Sequence, residues 1–142
     1  ISDISSKALN VANKNIKNHN VTNIRSLESD WFDNFKEKEL FDLILTNPPY
    51  ISKDDVHLNN LELGYEPSNA LVSANDGFAD IFKIIDTSPK FLNSGGLLII
   101  EHGHTQGNRV KNYFQHRSFD NIKQHQDINQ KIRVTSASKI KV

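Results

Sequence analysis

The stretch "LILTNPPYIS", residues 43–52, decides the reading of this chain. Leu43, Ile44 and Leu45 belong to an apolar run, "FDLILT" at 41–46, with the length and composition of a buried strand. That strand stops abruptly. Pro48 and Pro49 have no N–H to give to a ladder, and a residue that precedes proline is held extended. Asn47 and Pro48 therefore project past the strand end, with the Pro48 carbonyl outside the ladder and the Asn47 side-chain oxygen as a second acceptor beside it. Two acceptors at fixed spacing suit one planar NH2 group, and the Tyr50 ring can stack on the group that carries it. A strand-ending turn with a structural asparagine is the plainer reading. At the end of an apolar strand in an alternating α/β chain, a grip on an amide or exocyclic amine is the reading adopted.

The alternation is visible on both sides of the stretch. Residues 1–4 read as the tail of a strand entering a helix at 5–18, where Ala8, Leu9, Ala12 and Ile16 recur at helical spacing and Ser5 or Ser6 is the N-cap. A short strand is expected at 22–28, a turn or short helix at 31–38, and a long polar loop at 51–75, a length that in compact domains usually carries function. A helix is expected at 78–92, closed by the turn chemistry of Asn93, Ser94, Gly95 and Gly96. A second buried strand, "LLIIE" at 97–101, a helix at 105–117 and two strands at 120–125 and 132–138 complete the pattern. Strand–helix alternation predicts an α/β fold with a mostly parallel sheet covered on both faces. The last two strands have no helix between them and are expected to form an antiparallel edge pair. Ligands of open α/β sheets bind outside the carboxyl ends of the strands. This rule selects Asp3, Asp30–Trp31, Asn47–Tyr50 and Glu101–His102–Gly103, and predicts one shared cleft.

Composition narrows the class. At 142 residues, with 37% apolar and 24% charged residues, the chain has the size and make-up of one globular domain. No apolar run approaches the ~20 residues of a membrane span, so no membrane partner is expected. The absence of cysteine excludes disulfides and thiolate metal sites and fits a reducing, cytoplasmic setting. The net charge of zero is unevenly spread: residues 1–102 hold 9 basic and 15 acidic side chains, and residues 103–142 hold 8 and 2. That basic tail reads as a solvated surface, and direct nucleic-acid binding is not expected. "HGH" at 102–104 with Glu101 lacks good ligand geometry, and no metal is expected.

Gripping an NH2 group has a chemical use. An amide nitrogen is a poor nucleophile because its lone pair is delocalised. Two acceptors on its hydrogens raise its electron density, and positioning against an electrophilic methyl does most of the remaining work. The sequence agrees with such a reaction block by block. "SDWF" (29–32), "NPPYI" (47–51), "YEPSNALVS" (65–73), "DGFADI" (76–81) and "LLIIEHGHTQG" (97–107) resemble, in order and over the whole chain, the HemK or PrmC family. These are class I S-adenosylmethionine-dependent methyltransferases of Rossmann-like fold that methylate the side-chain nitrogen of glutamine in peptide chain release factors.

The resemblance implies roles. Asn47, Pro48, Pro49 and Tyr50 would hold the glutamine amide and form the catalytic site, with Asn47 also bordering the cofactor, S-adenosylmethionine. Asp3 would take the ribose hydroxyls, Trp31 would lie against the adenine, and Asp30 could accept from the adenine amino group. Glu66–Pro67 would shape the substrate opening or form a loop salt bridge, and Glu101 and His102 would be structural. Peptide chain release factors are the implied partners. The family's first strand, its Gly-rich cofactor loop and its N-terminal helical domain have no counterpart here. Residues 1–142 are therefore expected to be the C-terminal part of a methyltransferase domain, inactive alone. A methyltransferase acting on ribosomal-protein glutamine or on adenine N6 in nucleic acid, and an inactive binding fragment, remain as alternatives.

Overall fold

The computed structural model describes residues 1–36, 38–55, 58 and 66–141. The chain divides into two compact units, Ile1–Glu39 and Leu40–Val142.

In the first unit β1 (Ser2–Asp3) runs parallel to β2 (Leu27–Glu28), with Asp3 opposite Glu28. Helix α1 (Ser6–Asn18) connects them. Ser5 is its N-cap: the hydroxyl accepts from the Ala8 N–H at 3.3 Å, satisfying one of the orphan donors of the first turn. Leu9 is the buried residue of the apolar stripe. The chain leaves the helix through Asn20, whose φ of 53° is one that asparagine tolerates better than most residues. The strand expected at 22–28 is shorter than its apolar pattern, because the ladder can run only as far as the two residues of β1 extend. Residues 31–36 form turns, with Asp33 N–H bonded to Asp30 and Phe35 N–H to Phe32.

The second unit is a four-stranded sheet in the order β3–β4–β6–β5, formed by β3 (Phe41–Thr46), β4 (Leu92–Glu101), β5 (Phe119–Gln126) and β6 (Ile132–Lys139). β3 and β4 are parallel, and β6 runs antiparallel to both β4 and β5, giving the expected C-terminal antiparallel pair at the sheet edge. Helices α2 (Ser68–Leu71), the distorted turn α3 (Ala74–Gly77) and α4 (Ala79–Thr87) lie between β3 and β4; α5 (Gly107–Gln115) follows β4. The core gathers Ile81, Ile84 and Ile85 of α4, Leu92, Leu98 and Ile100 of β4, and Val110 and Phe114 of α5. Phe114 meets Phe119 edge to face, with centroids 5.1 Å apart.

Three expectations are corrected. β3 is not buried: Leu43 is 51% and Leu45 71% exposed, because β3 is an edge strand with β4 as its one strand neighbour among the described residues. The helix expected at 78–92 ends at Thr87 and passes into a 3₁₀ turn, Ser88–Lys90, where Pro89 removes the N–H that would continue it. Asn93–Gly96 do not close that helix. They form an irregularity inside β4: Phe41 faces Leu92 and the next paired residue, Leu43, already faces Leu97. Within the 51–75 segment, Ile51 bridges Val72 and α2 forms a short turn of helix, while 56–57 and 59–65 lie outside the described residues.

Candidate active site

Because β3 and β4 are parallel and Thr46 lies opposite Ile100, Asn47–Tyr50 and Glu101–Gly103 leave the sheet side by side at its carboxyl end. Asn47 is exposed as expected, whereas Pro48, expected to project past the strand end beside it, is fully buried, so the Asn47 side chain is the more open of the two expected acceptors. Among the described residues no hydrogen bond claims the Asn47 side chain. The chain then re-enters pairing at Ile51, whose N–H bonds to Leu71 O and whose carbonyl accepts from Ser73 N–H, both at 3.0 Å. The NPPY tetrad is thus an unpaired span between two anchored points.

Tyr50 is the best-held residue of the tetrad. Its phenol donates to Glu101 Oε1 at 3.1 Å, and its backbone carbonyl accepts from Gln106 Nε2 at 3.0 Å. Burial, then the neighbouring Glu101 charge, push the phenol's pKa up, so the ring is a neutral donor at physiological pH. Gln106, itself buried, also accepts from the Gly103 N–H through Oε1 at 2.8 Å. Against this contact lies Gly77, at φ +84°, preceded by two further left-handed residues, Asn75 and Asp76. A Cβ at Gly77 would fall 2.2 Å from Tyr50 O. The turn is locked from the other side by Ser73, whose hydroxyl accepts from the Asp80 N–H at 3.1 Å and donates to Asp80 Oδ2 at 2.5 Å.

His102 is fully buried and committed to the scaffold. Nδ1 lies 2.9 Å from Gly103 O and must donate to it; Nε2 then accepts from Thr135 Oγ1 at 2.8 Å. Burial pulls its pKa down, so the imidazole is neutral and ties the end of β4 to β6. Among the described residues there is no group of three or more metal-capable side chains, and no helix is long and apolar enough to cross a membrane.

The other two strand ends belong to the first unit. Asp3 ends β1 and Asp30–Trp31 follow the adjacent parallel β2, with Ser29 N–H bonded to Asp3 O at 3.0 Å. The Asp3 carboxylate is exposed and accepts from Ser5 N–H through Oδ1 at 2.7 Å. Asp3 therefore stands outside the N-cap position, which Ser5 fills. Trp31 is half-exposed at φ 49°, a conformation uncommon for a bulky side chain; its carbonyl accepts from Ser29 Oγ at 3.0 Å, and Ser29 Oγ in turn accepts from Asn34 N–H at 3.0 Å. A carboxylate that can accept from hydroxyls and an indole face on neighbouring strand ends fit the ribose and adenine of a nucleoside cofactor. The sequence rule thus gathers its four strand ends in two pairs, one in each unit. Gln106 and Gly77 had no single-residue signal of function, although the "DG" dipeptide at 76–77 marks a left-handed turn.

Comparison with known proteins agrees with this geometry. Residues 1–63 match the family described as methyltransferase small domain. The release factor glutamine methyltransferase of Francisella tularensis is 39% identical over 135 residues, which is 95% of this chain and 47% of that protein. The protein of the same name from Escherichia coli is 38% identical over 128 residues, 90% of this chain and 46% of its own length. The chain thus spans about half the length of the curated relatives it matches. Among solved structures, a methyltransferase from Pyrococcus furiosus superposes with a TM-score of 0.69 at 17% identity, covering 99% of this chain and 61% of that one. The fold is α/β of the class I methyltransferase type, and the chain is a homologue, over nearly its whole length, of the release factor glutamine methyltransferases.

Proposed function

We propose that the protein carrying this chain transfers a methyl group from S-adenosylmethionine to the side-chain amide nitrogen of glutamine in the Gly-Gly-Gln loop of peptide chain release factors, a cytoplasmic reaction of translation termination. One observation carries the reading: Asn47, exposed at the open end of β3 with no hydrogen-bond partner among the described residues, stands next to a tyrosine fixed at both its carbonyl and its phenol. When bound, S-adenosylmethionine supplies an electrophilic sulfonium methyl. The chain's own residues prepare the acceptor. Asn47 Oδ1 and the Pro48 carbonyl each accept one N–H of the glutamine amide, which orients the nitrogen and stabilises the positive charge it develops on alkylation. Pro48 and Pro49 fix the backbone so that these acceptors need no reorganisation. The Tyr50 ring stacks on the amide plane, and the surplus proton leaves the alkylated nitrogen for solvent. Asp3 binds the ribose hydroxyls of the cofactor and Trp31 covers its adenine.

The test is methyl transfer from labelled S-adenosylmethionine by the full-length protein to a release-factor fragment containing Gly-Gly-Gln. Transfer is expected to the glutamine form and to vanish when that glutamine is replaced by glutamate, whose carboxylate offers no N–H and faces two acceptors. Efficient methylation of adenine-containing DNA, with none of the fragment, would overturn the reading.

A further inference from the structure

We infer that Glu101, at the end of β4, and Gln106, at the start of α5, are positioning residues that set the Tyr50 ring and main chain for the acceptor amide. The inference deepens the function proposed above and rests on it. Prolines fix φ at 48 and 49, but nothing covalent fixes ψ of Tyr50 or the direction of its ring. The structure supplies both restraints from one short stretch about fifty positions further along the chain, the last residue of β4 and the residue that caps α5. Glu101 Oε1 takes the phenol hydrogen at 3.1 Å, at the far end of the ring. Gln106 Nε2 takes the carbonyl at 3.0 Å, at the main-chain end. The Gln106 amide is itself oriented, because its oxygen is occupied by the Gly103 N–H at 2.8 Å, which leaves the NH2 side facing Tyr50. The same NH2 lies 3.5 Å from the carbonyls of Asp76 and Gly77, so the α3 turn and the tetrad share one donor. Gly77 permits the approach, since any Cβ there would enter the space of the Tyr50 carbonyl. Arg133 on β6 is a nearby cation whose charge acts on both Tyr50 and His102.

A residue that merely stabilises the fold would affect turnover independently of Tyr50. A positioning residue acts through Tyr50, and this difference can be measured. In the full-length protein, kcat and KM for methyl transfer are determined for Tyr50→Phe, Glu101→Ala and the pair. Each single change is expected to lower kcat about tenfold or more with little change in KM, and the pair to lose no more than the worse single variant. Glu101→Gln, which keeps an acceptor for the phenol, is expected to recover most of the loss. Gln106→Glu keeps the bond from Gly103 but sets a carboxylate against three carbonyls; about a 10²-fold fall in kcat is expected. Additive losses in the cycle, or wild-type kcat in a folded Gln106→Glu protein, would overturn the inference. The cycle is measured on whichever acceptor the wild-type protein methylates. A wild type active only on adenine-containing DNA refutes the release-factor reading while the cycle still decides the positioning role; a wild type active on neither acceptor refutes both.

Discussion

Gly77→Ala is the substitution whose effect the structure fixes most closely. The added Cβ would lie 2.2 Å from Tyr50 O, 2.8 Å from Tyr50 C and 2.9 Å from Gln106 Nε2. Two of the three atoms are main chain and the third is a side-chain amide held by its own hydrogen bonds, so relief requires moving the tetrad by about 1 Å to reach an ordinary contact distance. Three costs combine. A left-handed φ costs a residue with a Cβ about 1–2 kcal/mol. Overpacking a fitted contact costs about 1–3 kcal/mol. Prising Tyr50 O from Gln106 adds about 1 kcal/mol. The total of about 3–6 kcal/mol corresponds to a fall in Tm of roughly 6–24 °C, at the ~2–4 °C per kcal/mol of a protein larger than this chain. Thermal and urea unfolding of the full-length protein measure it. Gly95→Ala is the control: φ is also positive, at 77°, but its Cβ would meet only the flexible Lys141 side chain, at 3.1 Å, so the conformational cost alone, about 1–2 kcal/mol, is expected. Equal losses at the two glycines, or a Gly77→Ala protein within about 0.5 kcal/mol of wild type, would refute the account of how the tetrad is seated.

Three further outcomes are expected. Asn47→Ala removes one acceptor from an exposed position beyond the strand, so kcat should fall about 10²-fold or more while the unfolding midpoint stays unchanged. Ser73→Ala removes a hydroxyl that both accepts from and donates to Asp80, and should cost about 1–2 kcal/mol in urea unfolding. His102 has its folded pKa below the ordinary value of 6.5, so the unfolded chain binds the more protons between the two values. Its contribution to stability is complete above pH 6.5 and is lost as pH falls below it; urea midpoints from pH 8 to 5 should decline, and His102→Gln should flatten that decline.

The local chemistry of the chain was legible, and the long-range contacts were not. A serine cap at 5 or 6, the strands at 41–46 and 97–101 and the antiparallel pair at the end follow from period, caps and turns, which are properties of neighbours in sequence. "FDLILT" misled because an apolar run reports affinity for a covered face and cannot tell an interior strand from an edge strand. Apolar residues on both sides of Pro89 keep the helical spacing to Leu92, so periodicity alone carries a helix through it. That Asn47–Tyr50 leave the strand ladder could be read from proline geometry alone. What holds Tyr50 could not: Glu101 and Gln106 lie 51 and 56 residues away, and only the parallel pairing of β3 with β4 brings them to the same sheet end.

The central claim is that one glutamine amide nitrogen receives the methyl group. Fragmentation mass spectrometry of the release-factor fragment, after reaction with the full-length protein and S-adenosylmethionine carrying a labelled methyl, tests it most directly. The account predicts a single labelled methyl on the side-chain nitrogen of the Gly-Gly-Gln glutamine, and none when Asn47 is alanine. Label on any other residue, or on the glutamine at an undiminished rate with Asn47→Ala, would contradict it.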